Sequence, residues 1–192
     1  MTDQPQATAN TALLIIDMIN DMNFEEGDEL LDEIDTAVEV VATLREQARK
    51  AAVPVIFVND NFGHWHSDRQ QIVRHVETTR GRRVLDRLRP DDDDYFIVKP
   101  QVSGFYATNL PVLLPRLGVN RLILTGVAAD ICVLFTAADA HMREYALWVP
   151  RDAVASDKSE HCDWALGIMR KSMDAETAPT SQLSLGDWLG RA

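Results

Sequence analysis

Short apolar runs alternate along this chain with stretches in which apolar residues return every three or four positions. The runs Ala12–Ile16, Val55–Val58, Tyr95–Val98, Arg121–Thr125 and Ala146–Val149 are almost continuously hydrophobic. They lack an in/out alternation, as expected of strands buried on both faces. A weaker sixth run lies near Ala175–Ala178. Between the first two runs, Ala37, Val40, Val41, Leu44, Ala48 and Ala51 form one helical stripe, and Pro54 stops it. A second stripe, Ile131, Leu134, Phe135, Ala138 and Met142, follows the fourth run. Further helices are predicted at Arg82–Arg89, Leu110–Leu117, Lys158–Ser172 and Gln182–Leu189, with Pro111 near a helix start, where its missing N–H costs little. Asn61–Gln71 reads as a loop running into a helix, and the acidic run Asp91–Asp94 as a solvated loop. The expected fold is α/β: a three-layer α-β-α domain over 1–192 with a mostly parallel, doubly wound sheet of about six strands. Residues 1–10 are expected to be a flexible tail.

Composition narrows the function classes. The 192 residues suit one domain, and 46% hydrophobic with 26% charged residues is an ordinary globular balance. A net charge of -11 argues against a nucleic acid or an anionic membrane surface as partner, since both demand a basic face. The opening MTDQPQATAN has neither a basic nor an apolar leader region, so the expected compartment is the cytoplasm. There a disulfide between the two cysteines, Cys132 and Cys162, is not expected.

The candidate chemistry sits at strand exits, because open parallel sheets bind ligands beyond the carboxyl ends of their strands. Asp17 follows the first run, Asn59 and Asp60 the second, Lys99 the third, and the turn Gly126–Cys132 the fourth. Cys132 in a helix's first turn is expected to have its thiolate favoured by unpaired N–H groups and by a nearby cation. A carboxylate, an ammonium and a thiol together meet the needs of nucleophilic acyl transfer, with Asp17 as base and Lys99 as the cation. Cys162, in the charged stretch SEHCDW, lacks that setting.

Three segments, LLIIDMINDMNF around Asp17, VKPQVSGFYATNL around Lys99 and LTGVAADICVLFTAADAHMREY around Cys132, give the chain its resemblance to the isochorismatase-like cysteine hydrolases. That superfamily includes nicotinamidases and N-carbamoylsarcosine amidase. The resemblance implies Asp17 as general base, Lys99 as triad lysine and Cys132 as nucleophile. It also implies a cis peptide at Val127–Ala128 and an oxyanion hole drawn from Val127, Ala128 and Cys132. The implied activity is cleavage of a C–N bond in a small amide, carbamoyl or imide substrate through a thioester. The alternatives are vinyl-ether hydrolysis of the isochorismatase type, which tolerates glycine at the nucleophile position, and a non-catalytic binding role on the same fold.

Nicotinamidases of the superfamily hold a divalent metal through an Asp-x-His pair and a further histidine. Here the matching region is NDNFGHWHSD, and Phe62 stands where that histidine would be. The expectation is therefore no metal and no cofactor; His64 and His66 would meet Asp60 only if the loop folds back. His75, His141 and His161 have no partners at ligand spacing. Phe24, Phe62, Trp65 and Phe105 are candidate pocket walls. Asn59, Asn61 and His64 are candidate hydrogen-bonding groups for a small polar substrate. Ala129 and Asp130 replace the Thr or Asn common in relatives, which questions how the turn is held, and Gly104 replaces a frequent alanine. Relatives assemble as dimers or tetramers, so a homo-oligomer is expected, with Trp65 and Trp188 as candidate contacts.

Overall fold

Five strands pair in parallel in the order β3-β2-β1-β4-β5, as seen in a computed structural model that describes residues 10–65 and 68–191. They are β1 (Thr11–Ile16), β2 (Val55–Asp60), β3 (Tyr95–Lys99), β4 (Arg121–Gly126) and β5 (Ala146–Trp148). The chain winds outward from β1 to β3, then returns to add β4 and β5 on the other side. The order therefore reverses between β1 and β4, which is where a crevice opens in such sheets.

The near-continuous apolar runs are explained by two cores, one per face. Leu13, Ile15, Phe57 and Ile123 point to one side, against α2 (Asp35–Lys50), α4 (Arg82–Leu88) and α8 (Leu185–Gly190). Leu14, Ile16, Val58 and Leu124 point to the other, against α5 (Leu110–Arg116), α6 (Leu134–His141) and α7 (Ser159–Met173). Successive strand residues alternate between two apolar layers, so no polar face is left to interrupt the run. Among the described residues, no helix is long and apolar enough to cross a membrane.

The sixth strand is not formed. Near Ala175–Ala178 only one parallel bridge survives, Trp148 with Glu176. The N–H groups of Thr177 and Ala178 instead donate to the Glu176 carboxylate at 3.0 Å each, and Pro179 follows, so the ladder has nothing to continue with. Two short helices complete the fold, α1 (Gly27–Glu33) and α3 (Arg69–Val76). Only Leu30 and Leu31 interrupt the polar sequence of α1, too few to mark a stripe. In α3 the expected loop-to-helix transition falls at Asp68, whose carboxylate caps the N–H of Gln71 at 2.9 Å.

The acidic run departs from a solvated loop. Asp94 is buried, its Oδ2 2.5 Å from Arg45 and 2.9 Å from Arg49 on α2. Trp188 is likewise interior, tilted against Trp148 at 5.8 Å between centroids, which removes it as a subunit contact. Its helix starts at Leu185 because Ser184 and Asp187 form a reciprocal capping box. Of the expected N-terminal tail, residues 1–9 lie outside the described part, while Asn10 accepts backbone bonds from Asn120 and Arg121.

Candidate active site

Asp17 and Cys132 face each other across the reversal point, from the ends of β1 and β4. Asp17 leaves its strand in the left-handed region (φ 51°), a conformation Asp adopts more readily than most residues, and its N–H donates to Val58 O at 2.9 Å. One carboxylate oxygen accepts the N–H of Asp60 at 2.7 Å, and the other lies 2.9 Å from Lys99 Nζ. Lys99 comes from the far side of β2, and its side chain is fully buried. Its ammonium also lies 3.4 Å from Cys132 Sγ and 3.4 Å from Asp60 Oδ2. The three residues expected to act together are thus gathered around one ammonium.

Cys132 is placed by a wide turn. After β4, Gly126 takes φ 111°, and a Cβ there would come within 2.0 Å of Ile16 O, so only glycine lets the two strand ends approach. The Val127–Ala128 peptide is cis. Ala129–Val133 then forms one π-turn before α6. In it Val133 N–H takes the Ala128 carbonyl at 3.1 Å, the acceptor that Cys132 would hold in an α-helix. Ala129 N–H is fixed on Ala155 O at 2.8 Å, and Ser156 Oγ donates to Asp130 at 2.6 Å. The turn is thereby secured without the threonine hydroxyl that Ala129 lacks. Val127 drops out of the expected oxyanion hole because its N–H is already donated to Ile16 O at 3.0 Å. Ala128 and Cys132 are left as its candidate donors.

Charge in this crevice reverses one expectation. The Cys132 thiol is pushed up to about 12, first by burial and then by the Asp17 carboxylate, with Lys99 pulling the other way. A helix start and one cation do not outweigh two desolvating, anionic influences, so the resting sulfur carries its proton. Burial also raises Asp17 against the pull of Lys99. Burial alone would lower Lys99, but Asp17, together with Cys132 and Asp60, holds its ammonium above the ordinary range. A carboxylate whose proton affinity is raised, in hydrogen-bond contact with a protonated thiol, is arranged to take that proton when the sulfur attacks.

The other expected site residues divide. Asn59 is fully buried and its amide is spent on Ile19, accepting its N–H at 3.2 Å and donating to its carbonyl at 2.7 Å, so it latches the loop after β1 to β2 and is not a substrate contact. Phe105 is buried in the core cluster on the α5–α7 face, with Tyr145 and the Arg143 guanidinium against its ring, so it packs the interior where a pocket wall was expected. Its neighbour Gly104 has a packing reason: a Cβ would lie 2.8 Å from Val58 Cγ1. Asn61 accepts Gly63 N–H at 2.9 Å and stays at the turn that leaves β2. Phe62, His64 and Trp65 line a cavity of about 500 Å³ with Gln71, Ile72 and His75. Phe24 is half exposed on the loop after β1. His75, given no role by its spacing, pairs with Asp21 at 2.8 Å in that cavity's wall.

Asp60 was legible only as a possible metal ligand. Its Oδ1 accepts Phe62 N–H at 2.6 Å and its Oδ2 faces Lys99, while His66 lies outside the described residues. A strand-exit carboxylate directly beside Asp17 in the sheet was the signal that could have assigned it to the ammonium. Among the described residues, the one group of His, Cys, Asp or Glu close enough together to share an ion is Asp130, Asp157 and His161. It lies away from that loop, and its members are already bonded to Ser156 and to each other.

The fold and this crevice define a class, and comparison with known proteins names it. The isochorismatase domain model matches residues 11–182, so the chain belongs to the isochorismatase family, a family of hydrolases. YaaI, an uncharacterized isochorismatase family protein of Bacillus subtilis, is 40% identical over 175 residues, covering 91% of this chain and 97% of that one. Among solved structures, N-carbamoylsarcosine amidase from Thermoplasma acidophilum superposes with TM-score 0.69 at 28% identity, over 91% of this chain and 98% of that one. An isochorismatase-like hydrolase from Alkaliphilus metalliredigens gives TM-score 0.74 at 25% identity, over 93% and 90%.

Proposed function

We propose that this protein is a cysteine-dependent amidohydrolase that cleaves the C–N bond of a small amide, carbamoyl or imide compound without a cofactor. The reading rests on one observation: a single buried ammonium, Lys99, reaches both the Asp17 carboxylate at 2.9 Å and the Cys132 sulfur at 3.4 Å. Asp17 accepts the thiol proton as Sγ bonds to the carbonyl carbon, and the carbonyl electron pair moves onto oxygen. The N–H groups of Ala128 and Cys132 receive that oxyanion. Collapse of the adduct breaks the C–N bond, Asp17 delivers its proton to the leaving nitrogen, and a thioester remains. The same carboxylate then activates water, and the thioester yields the acid and the thiol.

Phe62, His64 and Trp65, with Asn61 and Phe24 nearby, are the residues we assign to the substrate's non-reacting part. The setting we propose is the reducing cytoplasm, where Cys132 stays a thiol. We also expect a dimer or tetramer, with the exposed apolar side chains Ile131, Phe135, Trp164 and Ile168 as the surface to probe by light scattering. The decisive experiment is ammonia release from a panel of small amides, ureido acids and carbamoyl amino acids by wild type, Cys132→Ala and Cys162→Ala. Turnover by wild type and Cys162→Ala, with none by Cys132→Ala, is expected. Undiminished turnover by Cys132→Ala rejects the reading, and pyruvate release from isochorismate without ammonia release from any amide would replace it with vinyl-ether hydrolysis.

A further inference from the structure

The two candidate oxyanion donors, the N–H groups of Ala128 and Cys132, belong to one turn, and part of what fixes that turn comes from a distant segment. After β5 and the single 3-10 turn Arg151–Ala153, the residues Val154, Ala155 and Ser156 run beside the exit of β4 in the parallel sense. Gly126 and Val154 form an isolated bridge, and Ala155 N–H donates to Gly126 O at 3.2 Å. Ala155 O in turn takes Ala129 N–H at 2.8 Å. The last rung is made by side chains. Ser156 Oγ donates to Asp130 Oδ1 at 2.6 Å, and Asp130 stands midway along the chain between the two donors. All three residues of the segment are buried, Ser156 to 1% exposure.

That support matters because the turn is not held by an ordinary helical ladder. Its closing bond, from Val133 N–H to Ala128 O, spans one residue more than an α-turn, so the spacing of the donors inside it needs an outside reference. An oxyanion hole works only when its donors already stand where charge will develop, and a misplacement of about 1 Å can cost about 10²-fold. The two backbone rungs fix the start of the turn. Its middle is fixed by the bond between Ser156 and Asp130, a short, charge-assisted contact. Asp157 and His161 lie close by but pair with each other at 2.7 Å, and among the described residues Ser156 is the hydrogen-bond partner of the Asp130 carboxylate.

We infer that Ser156 is a positioning residue for the acyl-transfer step: through Asp130 it sets where the N–H groups of Ala128 and Cys132 stand when the oxyanion forms. The inference rests on the proposed cysteine chemistry and deepens it, and two reagents that both consume Cys132 separate the two. With p-nitrophenyl acetate, Sγ bonds to the carbonyl carbon, Asp17 takes the thiol proton and an oxyanion develops; p-nitrophenolate then leaves with the C–O bonding pair. With iodoacetamide, Sγ displaces iodide and no oxyanion forms. Ser156→Ala should slow the Cys132-dependent burst of p-nitrophenolate by at least about tenfold. Alkylation of Cys132, read by peptide mass, should stay within about twofold of wild type, since thiol and base are untouched. Asp130→Ala removes the other end of the same bond, should match Ser156→Ala, and carries the test if Ser156→Ala does not fold. Asp130→Asn keeps an acceptor oxygen for the hydroxyl and should retain most of the acylation rate. Acylation by the folded alanine variants at the wild-type rate, or acylation and alkylation slowed alike, overturns the inference and leaves the nucleophile standing. A burst undiminished in Cys132→Ala rejects the cysteine reading, and the inference with it.

Discussion

Two ion networks, each built around a buried pair, stand at opposite ends of β3, and they handle charge in opposite ways. In the first, Arg45 donates to Asp94, to Asp91 and to the Arg89 carbonyl, and Arg49 joins the same two carboxylates. Asp94 also accepts Asp91 N–H at 2.8 Å. Two cations meet two anions, and the cluster ties the loop before β3 to α2. In the second, one ammonium serves Asp17, Asp60 and a thiol. Anions outnumber the cation, and the sulfur's proton has a raised-affinity carboxylate beside it. Matched burial yields a clamp; unmatched burial leaves a proton with somewhere to go. Both networks are expected to be costly to break, about 3–5 kcal/mol when one partner of a buried pair is removed, but only the second should change chemistry.

The largest expected effect tests that division directly. Lys99→Met should cut ammonia release by roughly 10³-fold or more, because it removes the cation beside both the base and the sulfur. Asp94→Ala should cost about 3–5 kcal/mol in urea unfolding yet leave turnover per folded molecule within about a factor of two. If Asp94→Ala lowers turnover as much as Lys99→Met, the contrast between clamp and site is wrong. Turnover of the folded fraction, quantified alongside the unfolding curve, decides between these outcomes.

A smaller effect sharpens the electrostatics. Asp17 is one of the forces holding the thiol up, so Asp17→Asn should abolish turnover while speeding iodoacetamide alkylation of Cys132 near neutral pH, by roughly tenfold for each unit the thiol falls. The two readouts should move in opposite directions. In wild type, alkylation should climb about tenfold per pH unit towards the thiol's value of about 12. Linkage fixes the sign for stability as well. The folded thiol lies above its ordinary 9.0, so its contribution is intact below about pH 9 and is lost as pH rises from there towards about 12. Wild type should lose more stability over that window than Cys132→Ser, whose hydroxyl does not titrate. Equal losses would show that the raised thiol is not what the crevice enforces.

Much of this was readable from sequence because it depends on strand exits. The apolar runs place Asp17, Lys99 and Cys132 at the carboxyl ends of three strands, and a parallel sheet brings such ends together whatever the details. What sequence does not carry is how each side chain's polar valence is spent. Asn59 and Asp60 occupy adjacent exit positions, yet one amide closes on Ile19 and one carboxylate on Lys99. The thiol was misjudged for a related reason: a helix start and a lysine are visible in sequence, whereas the burial that outweighs them is a property of packing. Likewise the acidic run betrays nothing of Asp94, because its partners lie more than forty residues upstream. The sixth strand failed on local chemistry, where Glu176 caps the N–H groups a ladder would use.

The smallest effect asks whether the unmatched network is held by the sheet or by the loops around it. After Lys99 the chain is stitched to the nucleophile's helix: Gly104 N–H donates to Thr136 Oγ1 at 3.0 Å, and Ser103 Oγ to Asp139 at 2.5 Å. Thr136→Val keeps the shape but leaves the buried Gly104 N–H without an acceptor, a cost of about 1–3 kcal/mol. Lys99, however, belongs to β3, paired along its length with β2, and its ammonium is gripped by Asp60 at the end of β2 and by Asp17 just after β1. Thr136→Val should therefore lower the urea midpoint while leaving the pH dependence of Cys132 alkylation where it is in wild type. A shift of that profile would mean that the loop, and not the strand ends, sets the distance between ammonium and sulfur.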